Sequence, residues 1–324
     1  MALYYLNVKT FGRSAGGRAT YAAAYRAGER IRDERTGEVF DFSRRTDVMH
    51  KEIVLPSRLA GTDMSWTRDR AALWNAAELV ESRKNAAVAR EYLVSLPHEL
   101  AHEQRLVLVQ RFSQDLADRH GFAVDFVMHA PRPYNDPRNF HAHLLTTTRE
   151  VLPTGFGAKT DVGLSQAQRQ QRGLGGSSRR DLFAVRERWA NFTNETLREA
   201  NLEVRVDHRS FAAQGIDREP RPRIPAGAWR AERQGQKSEI AERIRDAYRE
   251  RVKARLERAV ANVSGIGGVG KLEELRNLAR QSWLQLRDTK RTTSAVPESA
   301  RAQAHASQKD CDVDRKDQND DLAL

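Results

Sequence analysis

Asn139-Phe-His-Ala-His-Leu-Leu-Thr-Thr-Thr148 is the stretch on which the reading of this chain turns. Apolar and β-branched residues dominate it, so it reads as a strand. Side chains at i and i+2 share one face of a strand, which points the imidazoles of His141 and His143 the same way. A second strand-like run, Phe122-Ala-Val-Asp-Phe-Val-Met-His129, precedes it. The residues between them, Ala130-Pro-Arg-Pro-Tyr-Asn-Asp-Pro-Arg138, are rich in turn formers. Antiparallel pairing of the two runs would bring His129 beside His141 and His143. Three imidazoles facing one point can hold a divalent metal and leave coordination positions open for a substrate oxygen. A His-x-His pair alone is more commonly structural or solvated. The third histidine, on a partner strand, brings the metal reading level with that one.

Working outward, Leu3 to Lys9 is expected as a strand, and Phe11-Gly-Arg-Ser-Ala-Gly-Gly-Arg18 as a glycine-rich basic turn. Ala19 to Arg32 reads as a helix. Residues 33 to 50 are charged and irregular, with a short strand at Glu52-Ile-Val-Leu-Pro56. Thr62 or Asp63 is a candidate cap for one long helix over 64 to 86. Ala89 to Leu96 reads as a strand. A helix over about 100 to 119 places Leu106, Val109, Phe112 and Leu116 on one stripe and stops at Gly121. Thr160 to Arg180 is expected to be mobile. Asp181 to Ala200 is helical, and Leu202 to Val206 is a candidate last strand. This order predicts an α+β fold, an antiparallel central sheet covered by helices. Residues 1–220 form the first domain, 221–295 a basic, mostly helical extension, and 296–324 a disordered tail.

With 324 residues and a formal net charge of +11, the chain calls for a polyanionic partner. Nucleic acid fits better than a membrane surface, because no amphipathic anchor or lipidation signal is visible. Cys311 is the only cysteine, so no internal disulfide can form. No apolar run is long enough to span a bilayer and no signal peptide precedes the first strand, so the expected location is cytoplasmic.

The first helix carries Tyr21 and Tyr25 on one face. Its bulky apolar residues are few, which predicts a helix that another surface, or a nucleic-acid backbone, approaches closely. The plainer alternative is that both tyrosines pack on the sheet. A phenol is a weak nucleophile at neutral pH, since its ordinary pKa is near 10. A metal on a scissile phosphate would draw charge from the non-bridging oxygens and ease attack by the phenolate. Such attack splits phosphodiester cleavage into two steps through a covalent protein–DNA intermediate. Three neutral histidines leave the metal its full charge, and they suit Mn2+ and heavier divalent ions better than Mg2+, which prefers oxygen.

In five segments the chain resembles the MobA/MobL family of conjugative plasmid relaxases, MobQ-type members of the HUH endonuclease superfamily. These are Met1-Ala-Leu-Tyr-Tyr-Leu-Asn-Val-Lys-Thr-Phe-Gly-Arg-Ser-Ala-Gly-Gly17, Ala24-Tyr-Arg-Ala-Gly-Glu-Arg30, Arg90-Glu-Tyr-Leu-Val-Ser-Leu-Pro97, the His129, His141 and His143 set, and Val206-Asp-His-Arg-Ser-Phe-Ala-Ala-Gln-Gly-Ile216. The resemblance covers residues 1 to 220 and implies the HUH relaxase fold. It implies Tyr25 as the nicking tyrosine and His129, His141 and His143 as ligands of Mg2+ or Mn2+. It further implies site-specific nicking of single-stranded or supercoiled plasmid DNA at the nic site of oriT. The products would be a 5′-phosphotyrosine adduct and a free 3′-hydroxyl, later rejoined by reverse transesterification. Accessory relaxosome proteins and a type IV secretion coupling protein are its implied partners.

Around this centre, Tyr21 is expected to line the site or stack on a base. Glu91 could accept the tyrosine proton or hold a ligand imidazole, and an ordinary surface carboxylate is an equal alternative. Arg13, Arg18, Arg26, Arg132 and Arg138 are candidate phosphate contacts. His208 is read as a hydrogen-bonding residue, and the other histidines as surface residues. Gly265-Ile-Gly-Gly-Val-Gly-Lys271 imitates a phosphate-binding loop, but Leu272 stands where Ser or Thr is required. Two rivals keep the same residues: a rolling-circle replication initiator, and a basic DNA-binding accessory protein without catalysis.

Overall fold

The computed structural model describes residues 4–132, 136–174 and 178–264, together with 277, 279 and 280. The glycine-rich Gly265–Lys271 run and the tail from 296 lie outside the described residues. The chain forms two compact units, Met1–His208 and Arg209–Leu324. The first begins with β1 (Leu6–Gly12), α1 (Ala19–Ala27), the β2 (Arg30–Arg32) and β3 (Val39–Asp41) hairpin, and β4 (Val48–Val54). It continues through α2 (Ser65–Arg68), α3 (Arg70–Val80), β5 (Ala87–Leu96), α4 (His102–His120), β6 (Val124–His129) and β7 (Phe140–Thr146). It closes with β8 (Arg149–Leu152), β9 (Gly155–Lys159), α5 (Gln166–Gln171) and α6 (Ser178–Glu199). In the second unit the described helices include α7 (Ala226–Arg233) and α8 (Glu239–Ser264), tied together by Arg245 on Glu232 at 2.5 Å. No helix among the described residues is long and apolar enough to cross a membrane.

The central sheet runs β1-β5-β7-β6-β4, and every neighbouring pair is antiparallel. This is the helix-covered antiparallel sheet that the strand and helix order predicts. Alternation along the central strands sorts their side chains. Tyr92, Val94, Phe126, Met128, Ala142 and Leu144 meet Leu108, Phe112 and Trp189 of α4 and α6. Val88, Ala89 and Leu145 face the other way, toward Ala22, Ala23, Leu73 and Trp74 of α1 and α3. Asp125 lies buried between β6 and α3, where it accepts from Arg70 at 2.8 and 2.9 Å and from Trp74 Nε1 at 2.8 Å. Three donors thus satisfy the oxygens of this buried carboxylate.

Several local expectations are corrected. The expected helix over 64–86 is two helices, because Asp69 turns extended and caps the second by accepting from Ala72 N–H at 2.7 Å. Residues 33–50 are not irregular throughout: they complete the β2–β3 hairpin and open β4 at Val48. Leu202–Val206 is not a strand. Asn194 instead accepts from Val206 N–H and donates to Val206 O, both at 2.8 Å, taking over the backbone pairing a strand would supply. Part of the Thr160–Arg180 stretch is ordered by a buried Arg169, which donates to the Asp161 carbonyl at 3.0 Å and pairs with Asp181 at 2.7 Å. The alanines of α1 are buried, so its small side chains admit the sheet rather than an outside surface.

Candidate active site

The β6–β7 register sets His129 opposite His141 and Val127 opposite His143. The three rings converge, with centroids 5.3 Å apart for His129–His141, 5.0 Å for His129–His143 and 5.3 Å for His141–His143. One nitrogen from each lies within 4.8 Å of the others. Each ring is oriented by an acceptor: His129 Nε2 by the Arg26 carbonyl at 2.8 Å, His141 Nδ1 by the Asn139 carbonyl at 3.1 Å, and His143 Nδ1 by Glu91 at 2.7 Å. A carbonyl or carboxylate can only accept, so these nitrogens carry the protons and the second nitrogen of each ring carries the lone pair. That donor set fits a divalent metal, with the supporting acceptors such ligands require.

Burial holds the His129 imidazole well below its ordinary pKa, and positive charge from His143, Arg45 and His141 adds to the effect. The neutral ring is the ligating form. The consequence for stability has a definite sign. Unfolded His129 takes up a proton below its ordinary value of 6.5, and the folded ring resists it. Acid therefore favours the unfolded state, and this contribution is intact above that pH. The Tm of the metal-free protein is expected to drop as pH falls through 6 toward 5, and a His129→Gln variant should show a shallower fall.

Glu91 lies buried on β5, where it holds His143 and takes both arms of Arg26. Burial opposes its ionisation, but Arg26 and then His143 outweigh this and drive its pKa far below the usual carboxylate range. An anion so stabilised is a weak proton acceptor. Its geometry suits orienting a ligand imidazole better than activating a phenol. Glu91→Gln is expected to weaken Mn2+ affinity about 10–100-fold in a calorimetric titration, and unchanged affinity would deny it that role.

The last turn of the first helix, which carries Tyr25, reaches this cluster through its backbone. After β1 the chain turns beside Ala87, roughly 20 Å along β5 from Leu93, the residue opposite His143. The nine residues of α1 then carry it roughly 13 Å back over the sheet. The helix ends where the Arg26 carbonyl meets His129, one residue beyond Tyr25. Gly28 terminates it with φ +60°, and an added Cβ would lie 3.3 Å from Arg45 Cβ and Val48 Cγ2. The Tyr25 ring stacks on Tyr21 at 6.1 Å and meets the face or edge of Phe42 at 5.1 Å. Arg45 lies over the same ring at 4.5 Å and donates to the Tyr25 carbonyl at 2.8 Å. Arg132 Nη2 approaches the phenol oxygen at 3.4 Å.

A family model described as MobA/MobL matches residues 18–234, a span that contains this entire constellation. The chain belongs to the MobA/MobL family. It is 37% identical over 299 residues to the mobilization protein MobL of Acidithiobacillus ferridurans, covering 82% of this chain and 76% of the relative. It is 31% identical over 262 residues to the conjugal transfer protein TraA of Agrobacterium fabrum, covering 75% of this chain but only 23% of that longer protein. A solved structure described as the molecular basis of vancomycin resistance transfer in Staphylococcus aureus aligns with a TM-score of 0.52 and 29% identity. That alignment covers 64% of this chain and all of the other, 100%.

In this MobA/MobL chain the predicted arginines divide. Arg132 stands at the phenol, and it also pairs with Asp47 at 3.3 Å. Arg26 is buried against Glu91 rather than exposed to a phosphate. Arg18 pairs with Glu38 near the start of α1. Arg138 is exposed and pairs with Asp136 at 2.7 Å. Arg13 lies at the opposite end of β1 from the histidines and pairs with Glu78 at 2.6 Å. Tyr21 stands between Phe40 and Phe42, with centroids 5.2 and 5.4 Å away. His208 lies outside the cluster, 4.0 Å from Asp207.

Sequence reasoning missed Arg45, Asp47 and Phe42. Arg45 grips Asp47 through two hydrogen bonds of 2.9 and 2.7 Å and reaches within 3.5 Å of His129 Nδ1. Asp47 is driven far below the usual carboxylate range: Arg45 leads, with His129 and Arg132, in overcoming burial. Nothing in Ser43-Arg-Arg-Thr-Asp47 separates Arg45 from Arg44. Only the β2–β3 hairpin, which brings this segment back beneath Tyr25, makes the distinction.

Proposed function

We propose that this chain is a plasmid-mobilisation relaxase that nicks one DNA strand at the nic site of its oriT through Tyr25. The observation that carries the reading is the direct link from the nucleophile helix to the metal-ligand set, the Arg26 carbonyl on His129 at 2.8 Å. His129, His141 and His143 would hold Mg2+ or Mn2+, and the all-imidazole set favours Mn2+. When bound, the ion supplies Lewis-acid polarisation of the scissile phosphate.

The rest is done by the chain itself. Tyr21, Phe42 and Arg45 fix the Tyr25 ring, and Arg132 faces its oxygen with positive charge where negative charge must be borne. That oxygen gives its proton to solvent and bonds to phosphorus as the bond to the 3′-oxygen breaks, and the departing oxygen takes a proton from solvent, leaving a 5′-phosphotyrosine and a free 3′-hydroxyl. The phosphodiester energy is kept in the adduct, so attack by a 3′-hydroxyl rejoins the strand. The charge of +11 supports DNA as the substrate. Accessory relaxosome proteins and a type IV coupling protein complete the proposed partners, and the cytoplasm is the proposed compartment.

The test is incubation with Mn2+ and supercoiled plasmid carrying the DNA that flanks the coding sequence. Open circles bearing protein that survives denaturant are expected, and exhaustive chelation should remove them. Nicking that persists without metal would take the ion out of the mechanism. DNA binding with no adduct would leave an accessory protein.

A further inference from the structure

The face of the sheet opposite the histidines holds a cavity of about 250 Å3 that the nicking reaction does not use. Arg90 and Tyr92 of β5, His120 at the end of α4 and Arg188 of α6 line it. Among the described residues, three polar atoms here find no hydrogen-bond partner: Tyr92 Oη, His120 Nε2 and Arg90 Nε. Tyr92 is 1% exposed, and burial pushes its hydroxyl pKa up. An unsatisfied buried polar group costs more than a typical hydrogen bond contributes, so three in one cavity call for a polar occupant.

The charges specify that occupant. The two carboxylates lining the cavity already have cationic or N–H partners, Asp161 in His120 Nδ1 at 2.8 Å and Asp181 in Arg169 at 2.7 Å. Arg119 and Arg188 share Asp115, at 3.0 and 3.2 Å. Arg90 donates to a neutral carbonyl, that of Val162, at 3.0 Å. Positive charge is therefore in excess, and burial together with Arg119 lowers the Arg188 pKa. We propose that this cavity binds a phosphate-class oxyanion, held by Arg90, Arg188, Tyr92 and His120. Two guanidinium N–H groups and a phenol O–H donate to its oxygens. His120 Nε2 donates when protonated, and when neutral it accepts from a protonated phosphate oxygen.

Arg90 and Val162 also line an adjoining cleft of about 910 Å3. The anion can therefore be free phosphate or the terminal phosphate of a nucleotide. The experiment titrates inorganic phosphate into the full-length protein by calorimetry, in chelator and at constant ionic strength set with chloride. Thymidine 5′-monophosphate is titrated in parallel. Saturable phosphate binding is expected, weakened at least tenfold by Tyr92→Phe and by Arg188→Gln. Tighter binding of the mononucleotide, equally sensitive to both substitutions, would make a nucleotide terminus the source. Phosphate binding without it would make free phosphate the source. Absence of saturable binding by either probe overturns the site, and so does an affinity unchanged by Tyr92→Phe. That substitution keeps the ring, so it decides the matter even if Arg188→Gln fails to fold. The outcome is independent of Tyr25 and of nicking.

Discussion

Tyr25→Phe is expected to eliminate the covalent protein–DNA adduct while leaving the fold and metal binding intact. The ring keeps its neighbours in this substitution: Tyr21 at 6.1 Å, Phe42 at 5.1 Å and the Arg45 guanidinium at 4.5 Å all contact carbon that phenylalanine retains. What disappears is the phenol oxygen and its 3.4 Å approach from Arg132. Loss of a nucleophile of this kind lowers turnover by on the order of 10^4-fold or more, because the remaining groups have nothing to activate. Denaturing gels of nicked plasmid would read the adduct directly. Should Tyr25→Phe nick normally while Tyr21→Phe does not, the nucleophile is the other tyrosine of the stack.

His143→Ala is expected to be nearly as damaging, for a different reason. It takes one nitrogen from a set whose members lie within 4.8 Å, and it removes the buried ring that Glu91 orients at 2.7 Å. A metal contributes several kcal/mol of transition-state charge stabilisation, and each 1.36 kcal/mol is tenfold in rate. Nicking should therefore fall by roughly 10^3-fold or more, with a parallel loss of Mn2+ affinity. DNA binding should persist, since backbone contacts and net charge carry it. Full nicking activity in this variant would remove His143 from the ligand set.

The histidine convergence was legible because it depends on two short-range rules, alternation along a strand and antiparallel pairing across a turn. Those rules allow His129 to stand beside His141 and His143, and the register sets it opposite His141. The helix stopping at Gly121 was equally legible, as its αL cap at φ +72° follows from a glycine after an apolar stripe. The break at Asp69 was not, because a side chain that caps a new helix competes with a backbone that could have continued the old one. Nor was the fate of the arginines. Nearness in sequence to Tyr25 proposed Arg13 and Arg26 as phosphate contacts. The fold commits them to Glu78 and Glu91, and it brings Arg45 from a segment that offered no signal of its own.

Local pattern alone determined the two histidine-bearing strands, their inward and outward faces, and the residue types able to hold a metal or attack phosphorus. Those properties depend on spacing along the chain, which a linear text contains. Tertiary structure decided which charges are spent inside the molecule and which face the site, and it decided that α1 should end on His129. Such outcomes rest on approach between segments tens of residues apart, and on the low-dielectric interior that binds Glu91 to Arg26.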